Sequence, residues 1–543
     1  LDLKTVDYDG EVLIIKFFVP SADFTPTLTL VKECTGRVFD PVGKKWTALP
    51  TQENIDHLVG AGFAPSDAVK NLWHNRPVYE KDATVLLEID ESKLDPALFP
   101  YQIEGVRWLE THKGIGIVGL PVGLGKSNIA TSYARLHPED RPILVVCPAC
   151  VKYNWQREIK RWAGEEAIVL SGKTPERINK HHKWVIINYD ILQGWIDVLA
   201  DFKFKYLIGD ESAYVNNPKA LRTKSFVALA RTVPKRVLLS ATPIRNRPSE
   251  FFTSLNLVDK KIFPNRYKFL HRYCNPTYNG FSWVYKGLTN DEELFSLVSK
   301  VMYRRKKEDV LKDLPTRHKI IVPFQLDSTT QKQYDKASEG FKSWVATTVY
   351  KAQQTAQAHI ETLRQLAYIG KRNGVIEWIS SFLDSGEKLV VFAWHTDAIN
   401  DIHEAFKDTS VVVDGKVSSR DKQSRIDSFQ NDPAVNLFIG QIRAAGVGIT
   451  LTAASSLAIV EFPWTPGDLE QAMGRIDRIG QESDTVTFYY LVGANTVDED
   501  TAMLLDEKSK MLDKTLDGEI QGDIFGKNIV DMLVELNEGG NNG

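Results

Sequence analysis

Ile115-Gly116-Ile117-Val118-Gly119-Leu120, an apolar run, passes through Pro121-Val122 into Gly123-Leu124-Gly125-Lys126-Ser127. A buried strand, a glycine-bearing turn and a lysine in that order read as a phosphate loop. Gly123 and Gly125 let backbone amides approach phosphate oxygens, and Lys126 brings a point charge to the β/γ-phosphates. Ser127 offers the hydroxyl that Mg²⁺ requires. The strict GxxxxGK[ST] spacing fails at its first position, where Leu120 stands, so a chance glycine turn stays open on this stretch alone.

Working outward, short apolar runs recur: Ile143-Leu144-Val145-Val146, Trp184-Val185-Ile186-Ile187, Tyr206-Leu207-Ile208-Gly209 and Arg236-Val237-Leu238-Leu239. Helical stretches separate them, which is the pattern of a parallel α/β sheet. A polar helical region spans about 327–384. The pattern then restarts with Lys388–Phe392, Ser410–Val413, Val435–Ile439, Leu457–Val460 and Thr485–Phe488. The expected fold is α/β with two tandem parallel-sheet lobes. Ahead of them lies a small α+β unit: a strand in Glu11–Val19, a helix from Pro26 to Glu33, a hairpin through Arg37–Asp40 and Lys45–Leu49, and a helix opening at Thr51. One more strand is expected at Thr84–Ile89. The tail Asn537–Gly543 reads as disordered.

The chain has 543 residues, too long for a single core, with ordinary shares of hydrophobic (43%) and charged (25%) residues. No run of apolar residues is long enough to span a membrane. Leu1-Asp2-Leu3-Lys4 lacks the regions of a signal peptide, and the missing initiator Met suits a trimmed start. Cys34, Cys147, Cys150 and Cys274 are too few for a disulfide scaffold and point to a reducing compartment. Cys147-Pro148-Ala149-Cys150 has the spacing of half a zinc site, but no second pair follows, so buried apolar cysteines are the reading. A net charge of −3 says nothing about nucleic acid, because a local basic groove can hold phosphates on an acidic protein.

Ligands in such sheets sit at the carboxyl ends of strands. Asp210-Glu211 ends one strand: the first carboxylate can hold Mg²⁺ and the second can orient an attacking water. Solvated surface acids are the alternative. Ser240-Ala241-Thr242-Pro243 closes another strand, either sensing a nucleotide or capping a helix. Much later, Gln471-Ala472-Met473-Gly474-Arg475-Ile476-Asp477-Arg478-Ile479-Gly480-Gln481 carries Arg475 and Arg478 three residues apart, on one helical face. Such a pair can stabilise charge developing on a γ-phosphate, or can simply be solvated. Arg304-Arg305-Lys306-Lys307 is the densest basic run, and Glu308-Asp309 behind it leaves a plain amphipathic helix open. Trp155, Trp162 and Trp394 read as core residues rather than base-stacking platforms.

Taken in order, these segments resemble helicase superfamily two, and within it the Swi/Snf-type translocases on double-stranded DNA. Leu98–Val106 looks like the family's adenine-recognising entry motif, which makes Gln102 the implied adenine contact. Asp210-Glu211-Ser212-Ala213 resembles the DEAH/DESH box. Gln441–Leu451, with Gly446 and Gly448, resembles the motif that links ATP and DNA on the second lobe, and Arg478-Ile479-Gly480-Gln481 the HRIGQ ending. Arg247–Glu250, Ile262–Pro264, Arg272–Cys274 and Arg304–Leu311 are similar to the HepA-related annealing-helicase branch. Gly36–Pro41 with Lys45-Trp46 resembles the HARP substrate-recognition module, whose alternative is a generic hairpin packing Phe39 on Trp46. The resemblance covers roughly residues 95–510.

It implies RecA-like lobes and the following division: a HARP-like α+β module at 1–60, a connector at 61–97, the ATP-binding lobe at 98–320, a helical inter-lobe region at 321–384, the second lobe at 385–515 and a tail at 516–543. The implied cofactors are ATP and Mg²⁺, with Lys126, Asp210, Glu211, Arg475 and Arg478 catalytic. Gln102, Gly123, Gly125, Lys126, Ser127, Gly446 and Gly448 would hold the nucleotide, and Ser127 and Asp210 the metal. DNA contacts would come from Arg37, Thr242, Arg304, Arg305 and Lys306. Ala213 and Asp477 stand where the family has histidines, and Thr450 and Thr465 where it has asparagines, so hydrolysis is expected to survive while coupling to DNA is in doubt. The expected function is an ATP-dependent, monomeric translocase on duplex or forked DNA that rewinds strands or remodels branches. The alternatives are a strand-separating helicase, a protein-displacing remodeller and a non-cycling DNA-binding scaffold. The compact size and the lack of a nuclear-type basic cluster point to a soluble cytoplasmic protein of bacterial or viral source.

Overall fold

The computed structural model describes residues 3–539 except 11, 35, 41–42, 49, 51, 75–83, 180, 245–247, 279–282, 286, 311–314, 349–352, 446–447, 479 and 517–528. The chain divides into two compact units, one of residues 1–84, 246–300 and 511–527, the other of 85–245, 301–510 and 528–543.

In the first unit, β1 (Leu3–Tyr8) and β2 (Leu13–Phe18) form an antiparallel pair, and β2 continues to the expected hairpin of β3 (Val38–Asp40) and β4 (Lys45–Ala48). The sheet runs past residue 60, because β5 (Ala64–Pro65) joins β1 in parallel. Alternation in β2 turns Leu13 and Ile15 inward, where Val31, Ile55, Leu58 and Val69 from three helices cover them. The first of these helices spans Ser21–Glu33, starting ahead of Pro26, which lies inside it. Phe39 and Trp46 do meet, with ring centroids 5.1 Å apart, although Phe39 stays 48% exposed.

No strand forms at Thr84–Ile89. This stretch is extended chain: Val85 and Leu87 face solvent, while Leu86 and Ile89 rest on the core of the second unit. Its apolar and β-branched residues suggested a strand, but the stretch joins no sheet, and Leu87 N donates to the Thr111 hydroxyl.

The second unit holds both expected sheets. β6 (Ile115–Val118), β7 (Ile143–Cys147), β9 (Trp184–Asn188), β10 (Tyr206–Gly209) and β11 (Lys235–Leu239) fall on the apolar runs. The short β8 (Ala167–Val169) adds an edge. Beyond β11, the chain gives the first unit the hairpin of β12 (Pro276–Tyr278) and β13 (Trp283–Tyr285), then returns as β14 (Met302–Tyr303). The order β14-β6-β11-β10-β7-β9-β8 is wholly parallel and sets the ends of β6, β11, β10 and β7 side by side.

The second sheet has the order β15-β20-β19-β16-β18-β17, again parallel: β15 (Thr316–Phe324), β16 (Leu389–Ala393), β17 (Ser410–Val413), β18 (Leu437–Gln441), β19 (Ser456–Ile459) and β20 (Thr485–Gly493). Residue 320, the expected end of the first lobe, lies inside β15, which pairs along its whole length with β20. The tail is not disordered at Asn537–Gly539, which closes a helix, Ile529–Gly539, with Ile529 and Leu533 buried. No described helix is long and apolar enough to cross a membrane.

One polar contact fastens the second lobe. Lys371, on the long helix Gln353–Leu383, is 1% exposed, and its ammonium donates to Val460 O, Leu491 O and the Asp498 carboxylate at 2.5 Å. It thus pins the helix to the ends of β19 and β20. Removing one member of a buried pair leaves an unmatched charge and costs roughly 3–5 kcal/mol. Asp498→Ala should lower the unfolding free energy of this lobe by about 3 kcal/mol in urea titration; a wild-type midpoint would show the pair to be neutral.

Candidate functional site

The phosphate loop turns at Gly123 (φ +87°) and Gly125 (φ +68°), values that L side chains rarely adopt. A Cβ on Gly125 would lie 2.4 Å from the Gln102 amide nitrogen. Gln102 is fully buried behind the loop: its Oε1 accepts from Phe99 N (3.0 Å) and its Nε2 donates to Leu124 O (3.2 Å). The helix Lys126–Leu136 starts directly after the turn, so its first amides face the loop. Lys126 Nζ donates to Leu120 O (3.0 Å) and Pro121 O (3.3 Å). Burial lowers its pKa to about 8, against the opposing pull of Glu211 and Asp210. Ser127 Oγ reaches only Asn128 Oδ1, at 3.4 Å.

Asp210 follows β10. Burial, followed by the charge of Glu211, raises its pKa to about 6, and Trp155 Nε1 donates to its Oδ2 at 2.8 Å. Tyr189 OH donates to Asp210 O at 2.7 Å. Glu211 has φ +51°, a strained value for a non-glycine residue and one often found where a side chain is aimed at chemistry. Ser240 and Thr242, at the end of β11, keep buried hydroxyls that have no hydrogen-bond partner among the described residues.

The second lobe meets this edge. A Cβ on Gly123 would stand 2.9 Å from Arg478 Cβ, one on Gly474 2.4 Å from Val122, and one on Gly448 1.6 Å from Val151. Gly448, expected near the nucleotide, is therefore where the second lobe presses on the first; Gly446 lies outside the described residues. Gln471 Nε2 donates to Glu211 Oε2 across the seam at 3.3 Å. Arg475 donates to Gln471 O (2.7 Å) and Ile449 O (3.1 Å), and Arg478 to Ile449 O (3.0 Å) and Thr450 Oγ1 (2.6 Å). Burial, then the neighbouring Arg478, pulls Arg475 down to about 9, and burial also lowers Arg478, whose Nε has no hydrogen-bond partner among the described residues.

Trp155, Tyr189 and Gln471 hold the acidic pair, and the sequence reading assigned none of them there. A hydrogen bond between residues 55 or 260 positions apart carries no local signal. Trp162 and Trp394 are buried too; Trp162 Nε1 donates to Glu158 at 2.8 Å and Arg443 stacks on Trp394 at 4.3 Å. Asp477 is 1% exposed and ion-paired to Lys307 (2.7 Å) and Arg317.

The basic run is largely engaged inside the second unit. Arg305 pairs with Glu104, Arg304 donates to Gly119 O at 3.4 Å, and Lys307 serves Asp477. Lys306 also has a partner. Arg37, in the first unit, is exposed and donates to Cys34 O at 3.4 Å. Cys34, Cys147 and Cys274 are buried free thiols and Cys150 is half-buried. A cleft of about 1060 Å³ opens elsewhere between the helices Lys152–Ala163 and Ser419–Asn431, and no phosphate-loop residue lines it.

The seam fits an anion with a hard cation. Three cations, Arg475 buried and Lys126 and Arg478 half-buried, repel one another and donate mainly to carbonyl dipoles, while the Arg478 Nε and two hydroxyls along the seam are buried with no partner among the described residues. Asp210, held partly protonated by burial, is a carboxylate that an adjacent metal ion would return to its charged form.

The SNF2-related domain family matches residues 101–374, and the helicase conserved C-terminal domain matches 371–480. The DNA annealing helicase and endonuclease ZRANB3 of Homo sapiens is 31% identical over 80% of this chain and 42% of its own length, so the chain spans less than half of that relative. The SWI/SNF-related matrix-associated actin-dependent regulator of chromatin subfamily A-like protein 1 homolog of Caenorhabditis elegans is 31% identical over 89% of this chain and 72% of its own. Among solved structures, the Sulfolobus solfataricus SWI2/SNF2 ATPase core in complex with dsDNA overlays with a TM-score of 0.39 and 24% identity, covering 80% of this chain and 96% of that one. With its SNF2-related domain followed by a helicase C-terminal domain, the chain belongs to the SNF2-related family.

Proposed function

We propose that the protein is a DNA-dependent ATPase that moves along double-stranded or forked DNA and uses ATP hydrolysis to rewind strands or remodel branched DNA. The observation that carries this is the seam where Gly123 of one sheet lobe touches Arg478 of the other, with Glu211 and Gln471 bonded across it. A site assembled from two lobes turns nucleotide state into lobe position, which a translocating motor requires. The names of the relatives, an annealing helicase among them, point the same way.

In this reading Mg²⁺-ATP supplies the phosphoanhydride to be cleaved, with the metal drawing charge from its leaving oxygens. Ser127 and Asp210 hold the metal, and Gln102 serves the adenine side. Glu211, steered by its strained backbone and by Gln471, orients water and accepts its proton. Lys126, Arg475 and Arg478 exchange carbonyl partners for phosphate oxygens, which draws the lobes together. Thr242, whose free hydroxyl sits against Gly467 of the second lobe, Arg304 and Lys306 contact DNA phosphates; Arg305 joins them only by leaving Glu104. The N-terminal sheet and its helices, which extend past residue 60, act as a HARP-like recognition module through Arg37, and the ATP lobe gives way to the second lobe ahead of β15 rather than at residue 320. The protein works as a monomer.

Lys126→Ala or Glu211→Gln should abolish DNA-stimulated ATP hydrolysis with the fold intact by circular dichroism, and Arg475→Ala should lower kcat about a thousandfold. Steady turnover in purified Lys126→Ala would refute the site. Parallel ATPase assays with single-stranded DNA, duplex, fork and RNA should rank fork and duplex first, and reannealing should outpace strand separation.

The pH dependence follows from the free site. Asp210, with a pKa of about 6, loses its charge as pH falls, and Lys126, at about 8, loses its charge as pH rises. kcat/KM for ATP, which reports the unliganded enzyme, should therefore be bell-shaped with limbs near those two values. A profile flat between them and well beyond on both sides would contradict the assigned roles.

A further inference from the structure

The first unit carries a surface that the motor chemistry does not use. Residues 260–272, KKIFPNRYKFLHR, contain five lysines and arginines and no acid. Their helix, Arg266–Tyr273, is capped by Asn265, whose side chain accepts from Tyr267 N and Lys268 N. Phe269, Leu270 and Tyr273 form its buried face, with Phe269 ringed by Phe252 and Phe263 at 5.4 and 6.1 Å. Helical spacing then turns Tyr267, Lys268, His271 and Arg272 outward.

These outward residues divide by partner. Arg272 is neutralised by Glu293. Lys260, Lys261, Arg266 and Lys268 are exposed, and none has an ion pair among the described residues. Between them lies a run of rings. Tyr267 is 61% exposed and stands 4.0 Å from His271, which meets Trp283 at 4.8 Å and Tyr285 at 5.3 Å on the β12–β13 hairpin. Tyr285 OH and His271 Nε2 are hydrogen-bonded at 2.9 Å. Burial keeps His271 below its ordinary pKa, so the ring is neutral at neutral pH. Packing of the helix accounts for Phe269 and Tyr273; it does not account for an open tyrosine face among unpaired cations.

We propose that Tyr267, backed by His271 and flanked by Lys260, Lys261, Arg266 and Lys268, is a platform for a single strand of DNA. An exposed ring gives an unpaired base a face to stack on, and the cations track the backbone on either side. A duplex offers no such base, which selects the single strand over the helix. The inference rests on the reading of the chain as a DNA motor and adds a second kind of contact: a hold on an unpaired strand made outside the sheet lobes.

The test uses the full chain and fluorescence anisotropy with a labelled oligothymidylate and a labelled blunt duplex. Tyr267→Ala should weaken oligothymidylate binding about tenfold and leave the duplex unchanged. Lys260→Ala with Lys261→Ala and Lys268→Ala should flatten the dependence of log affinity on log salt by about 2 for the single strand. Unchanged oligothymidylate affinity in both variants overturns the platform, and so does an equal loss on the duplex. Loss of single-strand binding in Tyr267→Ala, in a protein whose wild type hydrolyses no ATP with any nucleic acid, would sink the motor and leave the platform standing.

Discussion

Three cations, Lys126, Arg475 and Arg478, crowd one seam, Arg475 buried and the other two half-buried, and nearly all their hydrogen bonds go to backbone carbonyls. Carbonyl dipoles satisfy donors without cancelling charge, and like charges in a low-dielectric setting repel strongly. Glu211 and Asp210 oppose this only partly, and burial holds Asp210 near half-protonation at pH 6. The seam is therefore short of negative charge. A polyphosphate would relieve that deficit at a point where both lobes already touch.

Much of this was legible in sequence. Apolar runs such as Ile143–Val146 and Lys388–Phe392 mark buried parallel strands because such strands are covered on both faces. The glycine turn before Lys126 and the carboxylates after Gly209 are local signals, since each sits at a strand end. What stayed hidden was non-local. Trp155 reaches Asp210 and Gln471 reaches Glu211 only after the chain has folded. Thr84–Ile89 shows the converse failure: Leu86 and Ile89 are apolar because they lie on a core, and strand pairing depends on a neighbour that no local pattern can supply. In Arg304–Lys307, charge density suggested an open surface, but Glu104 and Asp477, remote in sequence, take up Arg305 and Lys307.

Three of the four residues that depart from the expected motifs have physical accounts. With Ala213 in place of the box histidine, the bridge to the second lobe runs from Glu211 itself to Gln471. Asp477, between the two arginines, is a buried carboxylate clasped by Lys307 and Arg317, which flank the passage from the first sheet into the second. An aspartate there anchors the arginine segment by charge. Thr450, another departure, holds Arg478 through its hydroxyl.

The glycines of the seam set a geometric tolerance. Gly448 against Val151 and Gly474 against Val122 bring backbone onto side chain with no room for one more carbon. Such contacts behave like the mating faces of a gauge: they admit a single distance between the lobes, and a lone methyl group would act as a shim. Drift at these positions is therefore asymmetric. Trimming a valine leaves a gap that loosens the fit by degrees, whereas enlarging a glycine holds the lobes apart while each keeps its own core, so a misfit at the seam need not register as a loss of fold.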